Sequence, residues 1–322
     1  MIYRIKILSL FFLTLMLVVL SMYQIILPDQ GDKYFYDAPG YNGELMKWAA
    51  PFSSGHPGIF EGSSEKVKLY LGTDYEGNDL AFRISKGVFS SMMLSFLAAV
   101  IIFVFLGSFL GIIIGFNRTK TTIKELLNHQ ESLSRIFYHL FQGIIDYILQ
   151  IINAIPMLLL VLISVIVVEK SLYDANQLLK LALCLFVYGL LSTPKLAFLI
   201  KDKINTLEDE DFIDAARASG ISDSKLVFTH IIRYECSSII FLQAINIFIQ
   251  AIMLETVIAF LGYGVRQLKY ETIGKLISEF GKEYLPGTIM GHPLAILPIV
   301  MLLMIAFVGN AWSKELLEKQ YE

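Results

Sequence analysis

Residues 211–235, DFIDAARASGISDSKLVFTHIIRYE, form a segment between two long apolar runs, and the segment itself is too polar to cross a bilayer. Read as a helix, its first part places Phe212 and two alanines on one face and its charged side chains largely on another. Gly220 supplies the left-handed backbone that ends a helix, and Ser222 or Asp223 can cap a second one. The pattern predicts a helix, a tight turn and a second helix lying on a membrane face. An ordinary amphipathic interfacial loop has the same periodicity.

The spacing within this segment is more specific than its periodicity. Asp214 precedes two alanines, three further residues separate these alanines from a glycine, and His230 precedes two isoleucines. This order resembles the EAA loop of ABC importer permeases of the oligopeptide, dipeptide and nickel class, where a cytoplasmic coupling helix docks on the ATPase subunit. Small alanines let a helix approach a partner closely, and glycine lets the chain turn. The resemblance places the loop at residues 207–233 and implies an ATPase-coupling role for Asp214, Ala215, Ala216, Arg217, Gly220 and His230.

The composition is that of an integral membrane protein. Of the 322 residues, 55% are hydrophobic and 17% are charged, which is more apolar surface than a soluble domain buries. The formal net charge of -3 gives no basic surface for nucleic acid. Cys184 and Cys236 lie in or beside apolar runs without further ligands at metal-site spacing, so we interpret them as packing residues and expect no disulfide or metal site.

Six apolar runs are long enough to span a bilayer, which takes roughly 20 residues. They cover residues 7–27, 88–116, 147–168, 181–200, 236–261 and 293–312. A cleaved signal peptide is the alternative for the first run. The apolar region of a signal peptide, however, is shorter than this run and is followed by a cleavage site of small residues. We therefore expect a retained first helix and both termini in the cytoplasm, an orientation that the density of lysine and arginine favours modestly.

Prolines interrupt two of these runs. Because proline removes a backbone donor, Pro156 predicts a kink in the third span and a position facing protein or a cavity. Pro194 predicts a break in the fourth span near its inner end, where Lys195 can extend to the interface. Residues 117–142 predict an amphipathic helix between the second and third spans, either a solvated or interfacial cytoplasmic helix or a second contact with the ATPase.

Small and polar residues inside the spans predict helix contacts. Gly107, Gly111 and Gly115 recur at four-residue spacing and indicate a packing face, unless they are only the glycine excess that membrane helices tolerate. The fifth span carries four polar residues suited either to a translocation path or to interhelical hydrogen bonds: Gln243, Asn246, Gln250 and Glu255. Glu255 and the following residues 259–264, AFLGYG, also resemble the glutamate and SFLGLG of the same family.

Residues 28–86 are polar, rich in glycine, proline and aromatic residues, and predict an extracytoplasmic loop or small cap. Within them, residues 71–79, LGTDYEGND, resemble the LGTD-x-x-GRD pattern that precedes the second helix in this permease family, with Asn78 in place of the arginine. A second outer loop, residues 265–292, has room for a short helix.

Catalytic signatures do not occur in the chain. The sequence contains no Walker A loop, no H-E-x-x-H and no G-x-S-x-G, and its five histidines are scattered. We therefore expect a protein that is not an enzyme, has no catalytic residues, and holds no cofactor or metal itself. The resemblance implies that partner ATPase subunits bind ATP and magnesium.

These observations combine into one expected architecture. We expect an all-α integral membrane protein with six transmembrane helices and a cytoplasmic EAA coupling-helix loop, the type I ABC importer permease fold. Its parts are an N-terminal helix (1–27), an outer loop or cap (28–86), a permease domain (87–317) and a tail (318–322). The resemblance implies a bacterial inner-membrane permease for peptides or similar solutes, with a second homologous permease, two ATP-binding subunits and an extracytoplasmic substrate-binding protein. A secondary transporter, or a channel or scaffold subunit, remains the alternative.

Overall fold

The computed structural model describes residues 34–35, 45–57, 67–115, 133–207, 210–221, 225–266, 270–284 and 296–321. The predicted first span, residues 7–27, lies outside these ranges. The helices of the described residues are α1 (Leu80–Gly115), α2 (Leu133–Ala154), α3 (Met157–Ser171), α4 (Gln177–Leu207), α5 (Asp211–Ala218), α6 (Leu226–Glu235), α7 (Ser237–Phe260), α8 (Ile273–Tyr284) and α9 (Leu297–Tyr321). Helix α1 contains one π-helical turn, Phe96–Val100, and α6 is wound as a π-helix throughout.

The chain divides into two compact units. The first unit consists of Met1–Met93, Asn176–Leu181 and Ile252–Trp312. The second unit consists of Leu94–Ala175, Ala182–Ala251 and Ser313–Glu322. Helices α1, α4, α7 and α9 each contribute residues to both units, so each unit is assembled from segments that are distant in sequence.

Four helical stretches of the described residues are long and apolar enough to cross a membrane: Leu80–Gly115, Gln177–Leu207, Ser237–Phe260 and Leu297–Leu316. They correspond to the predicted second, fourth, fifth and sixth spans. A bent pair, Phe137–Ala154 with Met157–Ser171, raises the number to five if it is counted as one span. The mostly helical, multi-span fold class is therefore confirmed for the described residues, while the count of six stays a prediction.

The predicted third span differs from the structure in its boundaries and in its bend. Helices α2 and α3 meet at an angle of 89° around Pro156, whose ψ of 117° lies outside the helical range. This is a much sharper turn than a kink, because proline also disfavours the helical conformation of the residue before it. Residues 133–142 of the predicted amphipathic helix belong to α2, which continues into the apolar run. Residues 117–132 of that prediction lie outside the described residues.

The predicted break at Pro194 is wrong, since α4 continues through this residue as one helix. Proline leaves the carbonyl four residues earlier, that of Leu190, without its usual backbone donor. The Thr193 hydroxyl donates to that carbonyl at 2.7 Å and takes over this role. Such local side-chain donors are how membrane helices tolerate proline, and α4 is therefore a continuous element.

Helix α1 starts eight residues before the predicted second span, because Asp79 caps its first turn. The Asp79 Oδ1 atom accepts hydrogen bonds from the backbone N–H of Ala81 at 2.9 Å and of Phe82 at 3.4 Å. A side chain that accepts these otherwise unpaired N–H groups fixes the first turn of a helix. The apolar pattern placed the start later, because it excluded the charged Arg83 and Lys86 from the span.

The expected outer cap contains a small antiparallel sheet in the order β1 (Tyr34–Phe35), β2 (Ser53–Pro57) and β3 (Val67–Leu69). Ser53 of β2 pairs with Leu69 of β3. Leu69 is buried together with Met46 and Ala49, and the three side chains form a small hydrophobic core. Gly72 follows at a φ of +74°, and a Cβ there would lie 1.9 Å from the Ala49 carbonyl oxygen, so this close approach requires glycine.

Candidate functional site

The predicted coupling segment, residues 207–233, contains α5, a turn at Gly220 and most of α6, which extends to Glu235. Residues 208–209 and 222–224 lie outside the described residues. Helix α5 ends at Ala218, and the backbone N–H of Ile221 then donates to the carbonyl of Ala216 at 3.1 Å. This bond closes a Schellman motif in which Gly220 takes the left-handed position, with a φ of +78°. Apart from Gly220 and its two chain neighbours, no heavy atom of the described residues lies within 4 Å of the place where a Gly220 Cβ would stand, so the structure shows a need for its conformation and not for close packing.

The described residues of α5 and of the turn after it differ in size and exposure. Ile213 of α5 is buried, Ala215 is exposed and Ala216 is half-buried. Ser219 and Gly220, which follow the helix, are exposed, so small residues face outward while Ile213 anchors the helix. Asp214 and Arg217 lie in α5 and His230 lies in α6, but their side chains are outside the described part of the structure. The proposed caps Ser222 and Asp223 lie outside the described residues.

Helix α6 anchors the second half of the coupling segment. Its apolar side chains Leu226, Val227 and Ile231 are buried. The π-helical spacing runs to the end of the segment, where the N–H of Cys236 donates to the carbonyl of Ile231 at 2.8 Å. Helix α7 begins at the next residue, so the coupling segment leads into a membrane helix without an intervening loop.

The glycine stripe of α1 lies against α4 in the second unit. A Cβ would stand 2.9 Å from Leu196 Cβ at Gly107, 2.8 Å from Ile200 Cβ at Gly111 and 2.8 Å from Lys201 Cα at Gly115. Atoms cannot approach this closely without a shift of one helix. The stripe therefore allows the two backbones to pack at a distance that no larger residue would permit.

Two of the polar residues in the fifth span hydrogen-bond to other helices within the second unit. The Tyr188 hydroxyl of α4 donates to Gln250 Oε1 at 2.8 Å, and the Ser313 hydroxyl of α9 donates to Asn246 Oδ1 at 3.4 Å. Gln243 is half-buried on the same helix. Of the two interpretations left open by the sequence, interhelical hydrogen bonding accounts for the contacts of Gln250 and Asn246.

Glu255, the fourth polar residue of that span, lies in the first unit and is only 1% exposed. Its carboxylate accepts hydrogen bonds from the Ser91 hydroxyl at 2.8 Å and from the backbone N–H of Gly274 at 3.1 Å. The Ser91 oxygen in turn accepts the N–H of Ile273 at 2.9 Å. The first N–H groups of α8 are thus satisfied by side chains from α1 and α7, and a negative charge is favourable at this end of a helix.

A buried ion cluster lies in the same unit, and the sequence analysis missed it. Arg83 is 4% exposed and donates to Asp74 at 2.5 Å, to Glu271 at 3.1 Å and to Glu279 at 2.8 Å. Lys275 adds a second cation, 3.0 Å from Glu271. This ion cluster, Arg83, Lys275, Asp74, Glu271 and Glu279, joins the LGTD turn to α1 and α8. The available signal was an arginine within the first turns of a membrane helix, which needs an anionic partner.

The ion cluster also explains the departure at Asn78. The Asn78 side-chain amide donates to both Asp74 oxygens, at 3.0 and 3.2 Å, and its backbone N–H donates to Asp74 Oδ1 at 2.9 Å. Asn78 therefore supplies hydrogen bonds without charge. The positive charge that balances Asp74 comes from Arg83 instead.

Burial raises the pKa of two carboxyl groups around this cluster. The Glu279 pKa lies above its usual value because desolvation outweighs the opposing attraction of Arg83 and Lys275, and Glu271 adds repulsion. The Asp79 pKa is also raised by burial, against the two backbone hydrogen bonds that cap α1. The three carboxylates of the ion cluster exceed its two cations by one negative charge. No group of three His, Cys, Asp or Glu side chains in the described ranges could hold a metal ion.

Comparison with known proteins shows a family match that covers the coupling segment and the membrane helices around it. The family model described as "Binding-protein-dependent transport system inner membrane component" matches residues 133–319, which include the whole coupling segment. The dipeptide transport system permease protein DppC of Alkalihalophilus pseudofirmus is 28% identical over 235 residues, 72% of this chain and 66% of that protein. The chain therefore spans slightly less than two thirds of that relative.

A second curated relative and one solved structure extend the comparison. The oligopeptide transport system permease protein OppC of Lactococcus lactis subsp. cremoris is 23% identical over 272 residues, 83% of this chain and 76% of that protein. A solved inward-facing structure of the MetNI methionine ABC transporter matches with a TM-score of 0.49 and 15% identity, over 73% of this chain and 96% of that chain. The two curated relatives are both named as permeases of peptide transport systems.

Proposed function

Because the chain belongs to the family of binding-protein-dependent transport system inner membrane components, we propose that it forms part of the membrane pathway of an ATP-driven importer for peptides. The family consists of permease subunits, which are transport components and not enzymes. Two curated relatives that transport dipeptides and oligopeptides support the peptide class. Because it belongs to this family, we place the chain in the bacterial inner membrane as a multi-pass protein.

One observation carries the coupling part of the proposal: the small, exposed face of α5 next to a glycine-dependent turn. Ala215, Ser219 and Gly220 are small and exposed, so a partner can approach the backbone at this point closely. The buried Ile213 holds the helix in place from the other side. This surface is suited to a groove on a cytoplasmic ATPase, with Asp214, Arg217 and His230 in the same segment.

The remaining partners follow from the same proposal. A second homologous permease completes the pathway, two ATP-binding subunits dock on the coupling segments, and an extracytoplasmic binding protein delivers the peptide. ATP and magnesium are bound by the ATPase subunits, and this chain holds neither. With the coupling segment in the cytoplasm, the outer loops 28–86 and 265–292 lie outside and both termini lie inside. Residues 80–86 of the first loop form the first turns of α1.

Coupling requires that the two conformations of the pathway bind the ATPase differently. ATP closes the two ATPase subunits, the coupling segment is displaced, and the membrane helices exchange outward for inward access. A displacement shifts this equilibrium only by the difference in binding free energy between the two conformations. Helix α6 runs straight into α7, so the displacement reaches the membrane helices without a flexible connection.

The test is an affinity purification of the intact chain from gently solubilised native membrane, with partners identified by mass. The wild type is compared with Ala216→Arg in the coupling segment and with Ala175→Arg as the matched control. Both alanines are half-buried, but Ala175 lies in the turn before α4 and outside the coupling segment. We expect an ATPase and a second permease with the wild type and the control, and loss of the ATPase alone from Ala216→Arg.

Either of two outcomes would contradict this proposal. Retention of the ATPase by Ala216→Arg would show that α5 is not the docking surface. Absence of both partners from the wild type would favour a secondary transporter, or a channel or scaffold subunit that needs no ATPase.

A further inference from the structure

An ion pair links the end of α6, two residues beyond the coupling segment, to the membrane helix α4. Lys203 Nζ of α4 lies 3.2 Å from Glu235 Oε2, and their side chains are 28% and 41% exposed. Glu235 is the last residue of α6, Cys236 follows fully buried, and α7 begins at Ser237. The pair therefore sits where the coupling segment becomes a membrane helix.

On its other sides, this part of α4 is bound firmly to α1 and α2. Lys201 Nζ lies 2.8 Å from Asp146 of α2, and Gly115 of α1 packs against the Lys201 backbone. The Gln142 side chain of α2 donates to the carbonyl of Ile113 in α1 at 2.5 Å. Because Pro194 does not interrupt α4, a displacement near Lys203 is passed along the helix and to both neighbours.

We propose that Lys203 and Glu235 are a positioning pair that fastens the exit of the coupling segment to α4, so that a displacement of α5 and α6 moves α4 together with α7. The inference rests on the proposed function, because the displacement comes from the ATPase. The chain already joins α4 to the start of the coupling segment, because α4 ends at Leu207 and α5 begins at Asp211. The pair adds a second link, from the end of α6 back to α4, so that α4 is held at both ends of the segment.

A pair this exposed adds little to folding stability, so its removal leaves the fold in place. Its effect lies in how tightly two segments move together, which is a free energy of coupling between sites. Charge reversal of either partner replaces attraction by repulsion at this distance. Reversal of both partners restores the attraction with the charges exchanged, which makes the exchange variant a sharp test.

Cys236 is a natural reporter for the opening of this junction. Its side chain is fully buried. A maleimide reacts only with an accessible thiolate. Lys203→Glu replaces a nearby positive charge by a negative one, which disfavours the thiolate, so faster labelling of that variant reports increased access. Glu235→Lys favours the thiolate, so Lys203→Glu is the decisive single variant.

The first measurement is the rate of maleimide labelling of Cys236 in the full chain in membranes, in a Cys184→Ala background. The variants are Lys203→Glu, Glu235→Lys and the combined exchange, and Lys314→Glu, an exposed lysine at the end of α9, is the control. We expect each single reversal to accelerate labelling about tenfold, and the exchange and the control to stay within about twofold of the wild type. Single reversals without effect, or an exchange that does not restore protection, would overturn the pair.

The second measurement is uptake of radiolabelled trialanine per ATP hydrolysed, by the transporter assembled in proteoliposomes. We expect about a fivefold loss for each single reversal, recovery in the exchange variant, and unchanged co-purification of the ATPase. A junction that opens without any loss of uptake per ATP would overturn the transmission of the displacement.

The outcomes separate this inference from the function on which it rests. A wild type that binds no ATPase contradicts the proposed function, while the labelling rates still decide whether the pair fastens the junction. A wild type that assembles but takes up no trialanine counts against the peptide class alone.

Discussion

Two polar regions of this chain differ in whether their polar groups are paired within the chain or exposed to a partner. The ion cluster of the first unit, Arg83, Lys275, Asp74, Glu271 and Glu279, is largely buried and its charges pair with one another. The coupling segment of the second unit, residues 207–233, turns alanine, serine and glycine outward. The cluster completes its interactions within the chain, whereas the coupling segment leaves a surface that a partner can cover.

The difference indicates which region is sensitive to substitution and which region can move at little cost in free energy. Buried charges with several partners are costly to disturb, because removal of one leaves the others without compensation. An exposed helix with few buried contacts can shift at little cost, which suits an element that moves. Variants of the cluster should therefore affect stability, and variants of the coupling segment should affect transport.

The largest effect is expected for Arg83→Met, which fills a similar volume but leaves the buried carboxylates of Asp74 and Glu271 and the half-buried Glu279 without the guanidinium. Removal of one partner from a buried ion pair typically costs about 3–5 kcal/mol. We expect a strongly lowered unfolding temperature and a poor yield of folded protein. The measurement is thermal unfolding of the purified chain in detergent.

Lys86→Met is the control for this prediction, since Lys86 is a half-buried cation of the same helix that lies 5.5 Å from the Phe82 ring. It should shift the unfolding temperature by much less, because no buried carboxylate depends on it. Equal shifts for the two variants would show that the ion cluster has no special weight, and the contrast between the two regions would lose its energetic basis.

The next effect concerns the coupling segment and is one of function. Gly220→Val places a β-branched residue at a φ of +78°, which costs roughly 1–3 kcal/mol of backbone strain. Because the site is otherwise open, the strain acts on the turn and not on neighbouring side chains. We expect normal membrane insertion and unfolding temperature, with ATP-driven uptake reduced about tenfold or more.

Gly143→Val is a matched control for this substitution, since Gly143 is also exposed and in open space but lies inside α2 without a positive φ. Gly220→Asn should retain more uptake than the valine variant, because asparagine enters the left-handed region more readily. Full uptake by Gly220→Val would mean that the turn does not need its left-handed residue for coupling.

The features that the sequence predicted well are local ones. The turn at Gly220 could be recognised because a helix end, a glycine and a second apolar pattern follow one another along the chain. The glycine stripe indicated a close helix contact, although it could not identify α4 as the partner. The break expected at Pro194 was wrong because the donor that repairs it, Thr193, acts through a rotamer that no periodicity reveals.

Long-range features were beyond reach for a physical reason. Arg83 and Glu271 are 188 positions apart, and each looks like an ordinary charge beside an apolar run. The meeting of α1 and α8 depends on packing of the whole first unit. A single sequence without its relatives does not carry that information.

The smallest predicted effect is the pH dependence that Glu279 gives to the ion cluster. Its pKa in the folded chain is raised, so its contribution to stability is fully present below its ordinary pKa of 4.5 and is lost as the pH rises through the raised value. Glu279→Gln removes this titration while it keeps the shape of the side chain. We therefore expect the variant to gain stability relative to the wild type as the pH rises from about 4.5, measured by thermal unfolding at closely spaced pH values.

The sign of this effect tests whether desolvation or ion pairing controls the cluster. If the attraction of Arg83 and Lys275 outweighed burial and the repulsion of Glu271, the pKa of Glu279 would be lowered, and the wild type would gain stability over the Gln variant with rising pH. Since burial has the largest influence and Glu271 repels the same carboxylate, we expect the opposite slope. A Gly220→Val chain measured alongside should show the wild-type pH profile, because the coupling segment contributes no residue to the cluster. A changed profile there would mean that the two regions are energetically linked, and their separate treatment as a stability element and a transport element would fail.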